Sequence, residues 1–294
     1  MIQVSFSIGI SKENGLLAIT QAEDALKEIR KSRRNWYYIH NQNIENQLFK
    51  QENIYWINKI KESILDENLI VHYQPILNIK TGKIEKYECL SRIDDEGDLV
   101  SPYSFMEAAI ETRVLYLMTK FVIESACKKF SKTEYRFSIN ITKDDLLMDY
   151  LEEFLLKNCS KYKIEPQRIT LELLEDISTL KEKNILEQLE SLKSHGFKIA
   201  IDDFGAESSN FTRLLEFKPD YLKIDGVFIK NICTDKNSQL ITAAITHICK
   251  KSGIKVIAEY IHNQEVLDVV VEMGIDYAQG YHIGAPSTEL VKES

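Results

Sequence analysis

From residue 69 onward the chain alternates short β-rich runs with longer amphipathic segments, and this alternation restricts the possible folds more than any other feature. Candidate strands are LIVHYQPIL, KIEKYECL, YRFSINI, RITLELL, FKIAIDD, DYLKID, IKVIAE and DYAQGY. Most are separated by helical stretches such as FMEAAIETRVLYLMTKFVIESACKKF and SQLITAAITHICKKSG. A strand that returns through a helix lies parallel to its predecessor, and eight such strands indicate a closed α/β barrel of the (β/α)8, or TIM, type. One connection breaks the pattern. The turn NIKTGK, ending at Lys83, is too short for a crossover helix, so the first two strands are expected to pair antiparallel.

The first 40 residues read differently. VSFSIGIS alternates like a strand, and AEDALKEIRKSRRN reads as a short helix whose basic last turn suits its dipole. Two such elements cannot bury a core alone. Residues 41–68 carry Ile44, Leu48, Ile54, Ile57, Ile60 and Ile64 at roughly helical spacing with no Gly or Pro, which predicts a connecting helix. The expected organisation is therefore a strand-helix piece over 1–40, a connecting helix over 41–68 and a barrel over 69–294.

Composition narrows the partners. A hydrophobic fraction of 44% and a charged fraction of 28% predict a packed globular core. The formal charge of −8 disfavours a DNA or RNA polymer, whose binding rests on Lys and Arg at phosphates, so an anionic ligand would need local metal or Arg charge. No apolar run approaches the roughly twenty residues that cross a bilayer, and MIQVSFSIGIS lacks a signal peptide's basic flank, so a cytoplasmic chain without membrane contact is expected. The five cysteines form no Cys-x-x-Cys pair, which predicts free, mostly buried thiols.

In barrels of this kind, residues at the C-terminal ends of the strands meet in one pocket. Those ends supply Gln74, Glu88, Asn140, Glu172, Asp202, Asp203, Lys223, Glu259 and Gln279. Singly, each has a structural explanation: Asn140 precedes a potential cap at Thr142, Asp203 could cap a helix, and Lys223 could pair with Asp225. Together they would bring four or five carboxylates into one mouth, where they repel one another unless cations neutralise them. All the candidate ligands are oxygen donors, which selects Mg2+ or Mn2+ over zinc or copper. The adjacent Asp202 and Asp203 suit a two-metal centre with ions about 3.5–4 Å apart, an arrangement built for phosphodiester hydrolysis. The six histidines offer no metal-binding spacing, although His282 follows Gln279 closely enough to approach the mouth.

At this point the motifs resemble the EAL domain of cyclic di-GMP phosphodiesterases over residues 69–286. The likeness runs through ECLSR, FSINIT, LELLE, IDDFG, KPDYLKID, IAE and QGYHIGAP. The resemblance implies that Glu88, Asn140, Glu172, Asp202, Asp203 and Glu259 hold two divalent cations. It implies that Gln74 and Arg92 hold the substrate phosphate, that Lys223 and Gln279 position the hydrolytic water, and that Glu175 anchors the loop after its strand. The implied reaction opens one phosphodiester of cyclic di-GMP to linear pGpG, and a homodimer through the barrel is a further implication. SIGIS and AEDAL…RRN in the first 40 residues resemble the end of a GGDEF diguanylate cyclase domain whose nucleotide loop is absent.

The chain departs from the family pattern at several positions. Cys89 replaces the Ala of the motif and Ile93 a frequent Trp. Ala206-Glu207-Ser208-Ser209-Asn210 replaces a Thr-Gly-Tyr-Ser-Ser-like run, and Tyr260-Ile261-His262 stands where Gly-Val-Glu is common. A Glu in place of Gly restricts the backbone and adds negative charge near the ions. Two other readings stay open: an EAL receptor that binds cyclic di-GMP without cleaving it, and an unrelated barrel using Lys223 as a Schiff-base lysine.

Overall fold

The computed structural model describes residues 8–10, 18–20, 22–23, 37–39, 55–56, 58–65, 68–95, 97–102, 105, 109, 115–174, 183–205, 214 and 218–291. The chain forms two compact units, Met1–Ile54 and Tyr55–Ser294. In the first, β1 (Ile8–Ile10) pairs in parallel with β2 (Tyr37–Ile39), and described helical residues lie between them. The strand character of Tyr37–Ile39 escaped the reading of the sequence, which ended its pattern on the helix. A parallel return needs a crossover, and the intervening helical residues lie where one is required.

The second unit begins with helical residues 55–56 and 58–65. Ile60 is fully buried and packs with Leu69, Ile93, Phe105 and Met118. Among the described residues nine strands follow: β3 (Leu69–Asn78), β4 (Lys83–Asp95), β5 (Asp98–Val100), β6 (Arg136–Asn140), β7 (Ile169–Leu174), β8 (Lys198–Phe204), β9 (Tyr221–Ile224), β10 (Lys255–Ala258) and β11 (Tyr277–Gln279). The order β3-β11-β10-β9-β8-β7-β6-β4 closes through a β3–β4 pairing into an eight-stranded barrel, and β5 adds to the edge of β4. Seven strands run parallel, while β3 is antiparallel to both its neighbours. The reversal follows from the turn between β3 and β4, where the Asn78 side chain accepts from the Lys80 and Thr81 amides and Gly82 takes a positive φ of 67°.

Helices α1 (Leu115–Phe130), α2 (Lys143–Leu147), α3 (Leu151–Tyr162), α4 (Lys183–Ser194), α5 (Gly226–Ile229), α6 (Lys236–Ser252) and α7 (Gln264–Glu272) connect the strands. Local chemistry sets their ends. Asp235 caps α6 through the Asn237 and Ser238 amides, Gly253 ends it in the left-handed region, and Asn263 caps α7 through Val266. Period-two alternation then sorts each strand. Outward residues such as Phe137, Ile139, Leu171, Ile201, Leu222 and Val256 join the main core. Inward residues form two levels, of which the lower is the apolar cluster Ile76, Ala200, Tyr221, Ile257 and Tyr277. Lys86 is buried with them, its ammonium 3.2 Å from the Tyr221 ring centroid.

Candidate active site at the barrel mouth

Two residues further along the parallel strands, the inward side chains carry the acids and a second lysine. Glu88, Glu172, Asp202 and Lys223 are all buried there, two residues beyond Lys86, Thr170, Ala200 and Tyr221. Lys223 is the hub of this level. Its Nζ lies 2.9 Å from Glu259, 3.0 Å from Glu172, 3.0 Å from Asp202 and 3.3 Å from Glu88. The suggested pairing with Asp225 is not what forms, because Asp225 points to the next helix and caps α5 through Val227. Asn140 Nδ2 donates to Glu88 at 2.9 Å, and Thr142, the expected cap, caps the short helix α2.

Asp203 is exceptional. In a regular strand it would face away from Asp202, since successive side chains alternate. The register of β8 against β9 shifts between Ile201 and Phe204, and Asp203 adopts φ 53°, a left-handed conformation that Asp tolerates. This bulge lets both carboxylates serve the mouth. Two sets of acids result, Glu88 with Glu172 and Asp202, and Asp202 with Asp203 and Glu259, each with oxygens within 4.8 Å of one another.

The first strand overturns one detail of the strand-end reading. Because β3 runs backwards, its C-terminal end lies away from the mouth, and Gln74 reaches the site from mid-strand, opposite Glu88 in the register. Its Oε1 accepts from Gln279 Nε2 at 3.1 Å, and Gln279 also donates to Glu88 at 2.6 Å. Glu88 is likewise mid-strand, because β4 continues to Asp95. Arg92 stands apart from this cluster: its guanidinium is half-buried and donates to the Ser91 carbonyl at 2.7 Å. Glu175 and the loop 206–210 lie outside the described residues.

Burial sets the electrostatics. It raises the pKa of Glu172 to about 8, with Glu88 and Asp202 adding repulsion against the opposing pull of Lys223. Burial and Asp202 raise Asp203 to about 6, and Glu259 is held well above the usual carboxylate range, chiefly by burial. Glu88 differs: burial works against its anion, but Lys223 and hydrogen bonds from Gln279 and Asn140 outweigh that, and its pKa is lowered. Burial also opposes the Lys223 ammonium, yet the surrounding acids hold its pKa well above the ordinary value. The cluster holds more carboxyl groups than one ammonium could neutralise were all of them ionised. Glu172 Oε1 and Gln279 Oε1 are buried with no hydrogen-bond partner among the described residues. Hard oxygen donors, crowded acids and orphaned oxygens together fit divalent cations.

Above the acids opens a cavity of about 650 Å3, lined by Gln74, Asp203, Glu259 and Gln279 from the predicted set. It is also lined by Tyr260, His262 and Lys230, which reading strand ends missed because they follow the last strand residue or the end of the next helix. His282 is not among the lining residues; its ring meets Gln264 on the surface.

Comparison with known proteins gives consistent results. The EAL domain family matches residues 57–286. The chain is 32% identical over 238 residues to the cyclic di-GMP phosphodiesterase PdeB of Shewanella oneidensis, an alignment covering 79% of this chain and 28% of that protein. With the probable cyclic di-GMP phosphodiesterase PdeA of Escherichia coli it shares 32% identity over 78% of this chain and 32% of the relative. The chain thus spans about a third of the length of these curated relatives. The solved structure of the EAL enzyme Bd1971, bound to cAMP and cyclic di-GMP, superposes with a TM-score of 0.79 at 25% identity, covering 94% of this chain and 74% of that one.

Proposed function

The chain belongs to the EAL domain family, and from that premise we propose that it hydrolyses one phosphodiester bond of cyclic di-GMP to linear pGpG. The observation that carries this reading is the set of five carboxylates gathered around one buried ammonium under an open cavity. When ionised, Glu88, Glu172, Asp202, Asp203 and Glu259 with Lys223 leave four negative charges, which two divalent cations match. Those acids and Asn140 would hold Mg2+ or Mn2+. When bound, such ions lower the pKa of water and neutralise charge developing on the phosphate.

The chain's own residues supply the rest. Lys223, fixed by four carboxylates, holds a proton-donating ammonium at the level of the acids and orients the attacking water together with Gln279. Gln74 offers its amide to a phosphate oxygen at the cavity wall, and Arg92 a guanidinium suited to bidentate contact. Glu175 anchors the loop after β7. The N-terminal unit is read as the end of a GGDEF domain, for which the parallel β1–β2 pair is support, joined to the barrel over residues 41–68. The five free cysteines support a reducing, cytoplasmic setting, and exposed Leu240 and Ile241 on α6 support a homodimer.

The deciding experiment is turnover of cyclic di-GMP by the purified chain across a Mg2+ and Mn2+ titration, with linear pGpG resolved by chromatography. Metal-dependent product that disappears in Glu88→Gln supports the assignment. Tight binding without product at any metal concentration would instead make the chain a receptor, and neither binding nor product would end both readings.

A further inference from the structure

The acids, Lys223 and the two glutamines leave one wall of the cavity without a role. That wall is formed by Tyr260, His262 and Lys230. Tyr260 follows Glu259 directly and holds φ at 57°, a left-handed conformation that costs a bulky residue free energy and persists only where its surroundings impose it. Three neighbours flank it. At Gly226, a Cβ would lie 3.0 Å from Tyr260 Cβ and 3.2 Å from its Cγ, so the start of α5 is notched to receive the tyrosine. The Tyr260 carbonyl lies 3.1 Å from His262 Nδ1 and can only accept, so Nδ1 carries the proton of that bond. Lys230 Nζ sits 5.6 Å from the phenol ring centroid, and the His262 ring centroid 5.7 Å away at 60°.

An exposed aromatic side chain alone needs no explanation. This one combines a strained backbone, a glycine notch and a place on the cavity wall, yet its ring stays half exposed. Such a ring is held open, not buried for stability. We infer that Tyr260 is a specificity residue that stacks a nucleobase of the cyclic dinucleotide against this wall, an inference that rests on the phosphodiesterase reading above. Stacking suits the position because every base presents a π face, while His262 and Lys230 hold the ring in place.

The test compares KM and kcat for cyclic di-GMP at saturating metal in the parent, Tyr260→Gly and Tyr260→Phe. Glycine adopts φ 57° without strain, so Tyr260→Gly removes the ring while favouring the same backbone. KM should rise roughly 5- to 150-fold in Tyr260→Gly, the loss of one base stack, with kcat changing less than about threefold, and Tyr260→Phe should return KM to within about twofold of the parent. A KM in Tyr260→Gly within about twofold of the parent overturns the inference alone, as does a Tyr260→Phe no better than Tyr260→Gly. Absence of linear product from the parent overturns the phosphodiesterase reading and the inference with it.

Discussion

Replacing Lys86 by Met is expected to stabilise the protein, and by more in mild acid than in alkali. Lys86 is fully buried in the lower level of the barrel, and its Nζ has no hydrogen-bond partner among the described residues. Burial lowers its pKa from 10.5 to about 7, with Glu172 pulling the other way. At pH 6 the ammonium is charged, and the displacement corresponds to about 5 kcal/mol of lost stability at about 1.4 kcal/mol per pKa unit. The Tyr221 ring 3.2 Å away returns about 2 kcal/mol of that as a cation–π contact. Methionine fills much of the stem's volume without the charge, so the net gain at pH 6 is about 2–3 kcal/mol, or roughly 5–10 °C in Tm. The sign with pH follows from the depressed folded pKa: the unfolded chain binds the extra proton between about 7 and 10.5, so the parent regains stability as pH rises through that window. The advantage of Lys86→Met should therefore shrink to less than about 1 kcal/mol by pH 10. Calorimetric melting of both proteins at pH 6 and pH 10 in chelator measures this. A variant less stable than the parent at pH 6, or a difference independent of pH, would refute the reasoning.

Mg2+ or Mn2+ is expected to raise the Tm of the parent, and Asp202→Asn should abolish that rise while leaving the metal-free fold intact, because Asp202 belongs to both sets of acids; a metal-induced shift equal to the parent's would remove it from the ligand set. In the parent, burial raises the pKa of Glu172 to about 8 and of Asp203 to about 6, with Glu259 raised as well, and an ion must displace their protons, so apparent metal affinity should climb between pH 5.5 and 8; affinity that is flat across this range, measured by calorimetry, contradicts the raised pKa values. Gly280→Ala should cost more than about 3 kcal/mol or prevent folding, since Gly280 holds φ 155° and a Cβ would fall 2.2 Å from the Ile261 backbone; soluble protein with an unchanged Tm would show that the two segments separate easily.

The barrel, its reversed first strand and the polar residues of its mouth were legible before any coordinates, because each is written over short spans. Alternation with period two marks a strand, amphipathic spacing marks a helix, and a turn as short as Ile79–Gly82 admits only an antiparallel return. The motifs carrying the EAL resemblance are equally local, so Glu88, Asn140, Glu172, Asp202, Lys223, Glu259 and Gln279 were nameable from the strands that hold them. Tertiary structure decided what those residues do to one another. Lys223 meets Glu88 across 135 residues of chain, a pairing that no local rule distinguishes from the nearer Asp225. Gln74 enters through the register of a strand whose direction inverts the strand-end rule, and Asp203 turns inward only because β8 bulges against β9. Lys86 shows the same limit most plainly. Its place in an alternating strand is local, but whether it meets water, a carboxylate or a tyrosine ring depends on strands β9 and β11, which closure of the barrel brings to it.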